Sequence, residues 1–144
     1  MPLVTGRHRD LMQLGPQLPI AIAASARYLE SLNIAPEEAP KPVRGMALID
    51  TGASRTVIQS GTGKELGLNP VGRQNISTAS TDTVPCDQYD VNLLFVAQNV
   101  HFANLVVIEA PIRLQPVICL IGRDVLSQAV FVYIGYDNSF TLAF

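Results

Sequence analysis

Short apolar runs bounded by turn formers recur along the whole chain, and none has the sustained 3.6-residue spacing of a long core helix. Residues 17–24, 43–49, 89–95, 103–109, 117–121, 129–134 and 140–144 read as strands, with an Asp137-Asn138 turn joining the last two. Residues 75–95 have a polar middle, Ser77 to Thr83, between extended arms, which is the profile of a long hairpin. Helical spacing is confined to brief patches. Tyr28, Leu29 and Leu32 follow Ser25, a candidate N-cap, and predict a short helix over 25–33. Lys64-Glu65-Leu66 predicts a single helical turn closed by Gly67. Pro36, Pro40 and Pro42 make 35–42 an exposed connection. Without an internal repeat, this pattern specifies a mostly β barrel or sandwich.

The chain has 144 residues, 48% of them apolar and 15% charged, enough for one filled core and too few charges for disorder or a coiled coil. Residues 1–16 read as an N-terminal arm and 17–144 as a single domain. A net charge of -2, with Arg7-His8-Arg9 as the only dense basic run, argues against a nucleic-acid partner. No apolar stretch approaches the roughly 20 residues of a membrane span. Residues 18–24 and the small-x-small Ala24-Ser25-Ala26 have some look of a leader. A strand is preferred there, because Pro19 interrupts the run and Asp10 and Gln13 dilute the region between it and the basic residues. Cys86 and Cys119 are too few for a disulfide framework and lack metal-ligand spacing, so they read as thiols of a reducing compartment, and a cytoplasmic location is expected.

The chemistry-bearing segment is Asp50-Thr51-Gly52-Ala53-Ser54, set directly behind the apolar run Met46-Ala47-Leu48-Ile49. A strand there delivers an acid to a loop. Gly52 lets backbone amides approach the carboxylate, Thr51 offers a hydroxyl to tie the loop down, and Ala53 is small enough to sit beneath it. On its own the tripeptide suits a tight turn equally well. Other motifs fail. Gly61-Thr62-Gly63-Lys64 lacks the first glycine and the following Ser or Thr of a phosphate loop. His8 and His101 have no companions for a metal or a triad, and no serine sits in a nucleophile elbow.

Leu48-Ile49 before the acid, Ala53-Ser54 after it, and Val117-Ile118-Cys119-Leu120-Ile121-Gly122-Arg123-Asp124-Val125-Leu126 near the C-terminus together resemble the retropepsin-like aspartic proteases. Ser139-Phe140-Thr141-Leu142-Ala143-Phe144 looks like the end of the small bacterial members, so the resemblance spans residues 17–144. It implies a closed or partly open acid-protease β-barrel with a flap hairpin, one short C-terminal helix and a short inserted helix near residues 25–33. It implies an aspartic endopeptidase that needs no cofactor or metal, with Asp50, Thr51 and Gly52 as the catalytic loop. Ala53 and Ser54, and the flap residues Thr78, Ala79, Ser80, Thr81 and Asp82, are implied to bind substrate. Gly122, Arg123 and Asp124 are implied to brace the active-site loop. The chain departs from viral members in carrying Ser54 and Arg55 where they have an acid, in a flap tip without glycine, and in a longer insertion over 25–42.

Peptide hydrolysis by carboxyl groups needs two, one to take a proton from water and one to donate to the scissile carbonyl. This chain offers one suitable loop, since Asp10, Asp82, Asp87, Asp90, Asp124 and Asp137 are not followed by Thr-Gly or Ser-Gly. The second carboxyl is therefore expected from a second copy across a two-fold axis. Such a homodimer shares one proton between two Asp50 side chains and accepts an extended peptide or protein substrate. With Ala53 in place of the hydroxyl residue of strongly acid-active relatives, activity is expected at mildly acidic to near-neutral pH. A monomer pairing Asp50 with Asp124 is disfavoured. The rival class is a non-catalytic dimeric peptide-binding module of the same fold.

Overall fold

Alternation of buried and outward side chains turns the apolar runs into strands, and the clearest case is the run Tyr89, Val91, Leu93 and Phe95, all buried. These residues belong to the longest strand of a computed structural model that describes residues 2–77 and 82–144. Ten strands are seen among them: β1 (Leu3–Arg7), β2 (Gln17–Ala24), β3 (Val43–Ile49), β4 (Val57–Gln59), β5 (Gly72–Ser77), β6 (Thr83–Phe95), β7 (Val100–Ala110), β8 (Val117–Ile121), β9 (Val130–Ile134) and β10 (Ser139–Ala143). Short helices α1 (Leu11–Leu14), α2 (Ala26–Ser31), α3 (Thr62–Glu65) and α4 (Arg123–Leu126) punctuate them.

Six strands close into a barrel in the order β2-β3-β8-β4-β7-β6, with β6 returning to β2. The closing register sets Ile20 opposite Phe95 and Ala24 opposite Val91. Pairs β3–β8 and β4–β7 are parallel and the other barrel pairs antiparallel. Strand β6 is long enough to serve two structures at once. Its second half pairs with β7 and β2, while its first half carries β5 outside the ring, from Gly72 opposite Gln88 to Ser77 opposite Thr83. A register shift between Val91 and Leu93 accommodates the bend that closure requires.

A second sheet, in the order β1-β10-β9, buries Val4, Phe140 and Leu142 against the same core. The segment read as an arm thus contributes a strand and, through α1, the buried Leu11. Gly6 lies under the Phe140 ring, where a Cβ would come within 2.2 Å of it. Helix α2 forms as predicted, with the Ser25 hydroxyl accepting from the Tyr28 amide at 3.0 Å. It is fastened to the outside of β6 by Arg27, which donates to Asp90 at 2.6 Å. The proline-rich connection contains a 3-10 turn, Pro36–Glu38. Strand β4, three residues long, was not expected from the sequence; its single fully buried residue, Ile58, is too little to register as a pattern.

Candidate active site

Strand β3 ends where its parallel neighbour β8 ends, and the last rung between them, the Asp50 amide to the Ile121 carbonyl at 2.9 Å, carries the acid to the barrel rim. The chain then turns at once. The Ala53 amide donates to the Asp50 carbonyl at 3.2 Å, and the Gly52 amide donates to Asp50 Oδ1 at 2.9 Å. A Cβ on Gly52 would stand 3.1 Å from that oxygen, so glycine leaves the carboxylate room to receive the amide. Asp50 is half-buried, while Thr51, Gly52 and Ser54 are exposed.

The loop is held from behind by residues far away in sequence. Thr56 is fully buried; its amide and hydroxyl donate to the two Asp124 oxygens at 2.9 and 2.7 Å, and its hydroxyl accepts from the Gly122 amide at 3.1 Å. The Val125 amide also donates to Asp124 Oδ1. With both carboxylate oxygens engaged in this way, Asp124 is committed to the bracing of the loop rather than to pairing with Asp50. The Arg123 guanidinium donates to the Thr51 carbonyl at 2.8 Å, and its amide to the Ala53 carbonyl at 2.8 Å. Gly122 makes this close approach possible, for a Cβ there would lie 2.4 Å from the Arg55 carbonyl carbon. Beneath, burial with the nearby Asp124 charge pushes the Cys119 thiol up to about 12, which leaves it inert.

A cleft of about 400 Å³ opens between this loop and β5. Gly52, Ala53, Ser54 and Arg55 form one wall, and Gln74, Asn75, Ile76 and Ser77 the other. Val57 and Ile108 give it an apolar floor, continued underneath by Cys86 and Ala110. The expected substrate contacts Ala53 and Ser54 therefore lie in the cleft. Asp82 is exposed just before β6, and Thr78, Ala79, Ser80 and Thr81 lie outside the described residues. The sequence reading named neither Thr56 nor any β5 residue for the site, although it expected an extended hairpin arm from residue 75. Thr56 and Asp124 are 68 residues apart and carry no local signal of each other, whereas the first arm of the predicted hairpin was the available hint for β5.

The glycine-rich Gly61-Thr62-Gly63 segment spends its amides on Glu109, which accepts from Gly61 and Gly63 at 3.1 and 2.9 Å. His8 bonds the Gln17 carbonyl at 2.8 Å and packs near Phe140.

A family model described as aspartyl protease matches residues 34–125. Among curated proteins none matches the chain. Among solved structures, a retropepsin-like aspartic protease from Rickettsia conorii is similar with a TM-score of 0.53 and 16% identity, over 97% of this chain and 89% of that one.

Proposed function

This chain belongs to the aspartyl protease family, and on that premise we propose that it is an endopeptidase whose active site forms between two copies, each supplying Asp50. The observation that carries the reading is the Asp50 turn, seated beside a cleft with an apolar floor and polar walls. In the proposed reaction one Asp50 carboxylate takes a proton from water as the water oxygen bonds to the scissile carbonyl carbon. The other, protonated, gives its proton to the carbonyl oxygen. Collapse of the tetrahedral intermediate breaks the C–N bond, with a proton returned to the leaving nitrogen.

Two features support a second copy as the missing partner. Each chain has one Asp-Thr-Gly loop, and the described residues leave β9 at the edge of its sheet with Val130, Val132 and Tyr133 exposed. An apolar strand edge with unpaired backbone groups favours coverage by another chain. The segment from Arg123, which braces the loop, reaches β9 within a few residues.

The test is cleavage of a diverse peptide library by the wild type and by Asp50→Asn, read by mass spectrometry with oligomeric state followed by light scattering. Wild-type cleavage by a dimer, lowered at least about 10³-fold in Asp50→Asn, is the expected result. Equal behaviour of the two proteins overturns hydrolysis in favour of a peptide-binding module. A fully active monomer overturns the shared site.

A further inference from the structure

We infer that Arg55 makes this cleft selective for an acidic side chain in the substrate. The inference rests on the reading of the cleft as the peptide site and adds to it a residue and a ligand chemistry.

Arg55 is the one charged side chain among the described residues that line the cleft; its neighbours there are small, neutral-polar or aliphatic. It has neither a hydrogen bond nor an ion pair among the described residues, unlike Arg7, Arg27 and Arg73, which are paired with Asp137, Asp90 and Asp87. Acids on the neighbouring elements are already occupied: Asp124 by Thr56 and Val125, Glu109 by the amides of Gly61 and Gly63, Asp87 by Arg73. Arg55 thus lines the cleft as an exposed residue, and nothing among the described residues takes up the five donors of its guanidinium.

Its base is fixed, because the Arg55 carbonyl packs against Gly122 and the next amide, that of Thr56, is held by Asp124. A cation on a fixed base beside a cleft matches a carboxylate, which it binds through two parallel N–H···O bonds, better than it matches a neutral amide. Across a two-fold axis Arg55 occurs twice, so the preference falls at positions on both sides of the scissile bond.

The experiment uses fluorescein-labelled peptides identical except for Glu or Gln at each position in turn. They are bound to Asp50→Asn and, separately, cleaved by the wild type. The expected result is that Glu at one or two positions tightens binding about three- to tenfold at low salt. That advantage shrinks near about 0.5 M salt, as an exposed charge pair requires. In Asp50→Asn carrying Arg55→Gln the Glu/Gln ratio falls to about one, and with Arg55→Glu the preference passes to Lys-containing peptides. Equal binding of Glu and Gln peptides at every position, absence of binding, or a Glu preference that survives Arg55→Gln overturns the proposal. Cleavage by the wild type with no charge preference defeats Arg55 and leaves hydrolysis standing, whereas a charge preference in binding without cleavage does the reverse.

Discussion

The two walls of the cleft are built on different terms. The Asp50 wall is tied at Thr51, Ala53 and Thr56 to Gly122, Arg123 and Asp124, through bonds that join the loop between β3 and β4 to the chain just past β8. Among the described residues the β5 wall pairs as a strand with β6 alone, outside the closed ring, with every second residue exposed, two side-chain links across the pair, Arg73–Asp87 and Gln88–Gln74, and Ile76 resting on the apolar floor. On the proposed reading, a carboxylate that has to meet a second one and a water in one geometry gains from the first kind of wall. A wall that admits an extended chain needs no such fixation, and elements with few partners are where opening costs least.

The contrast is most severely strained by Gly122→Ala. The new Cβ meets backbone atoms of Arg55 and Thr56, which cannot swing aside as a side chain could. A loss of about 3 kcal/mol is expected, read as a lower urea midpoint, together with a loss of cleavage that exceeds the loss of folded protein. Thr56→Val keeps the shape and removes one hydroxyl with two bonds, taking the partner of the buried Gly122 amide and leaving Asp124 Oδ1 with the Val125 amide. About 2 kcal/mol is expected, with kcat falling more than KM rises. Arg73→Gln is the smallest change. Its pair with Asp87 lies at the surface, and the urea midpoint is expected to stay where it was. Should Arg73→Gln destabilise the protein as much as Thr56→Val, the two walls are equally fixed and the distinction fails.

Much of the barrel was legible because its signals are local. The bounds predicted for β2, β3 and β8 coincide with the strands, and Ser25 caps α2 as its position before Tyr28 and Leu29 suggested. Strand β1 escaped because one buried residue in five, Val4, leaves no alternation to read, and its partner β10 lies at the opposite end of the chain. At the site, Asp50 stood out by following a core strand directly. The support given by Thr56 did not stand out, since a buried threonine two residues past Ser54 looks like any other strand residue until Asp124 is folded against it.

The chain itself determined the short strands, the acid at the end of β3 and the glycine that lets an amide reach it, because each depends on neighbours a few residues away. Tertiary structure alone decided that β6 closes on β2 and that β5 faces the Asp50 loop across a cleft. It also decided that Asp124 spends its carboxylate on Thr56, while among the described residues no acid pairs with Arg55. Those outcomes join residues far apart along the chain, and they are settled by which surfaces can be buried together and which polar groups then find partners.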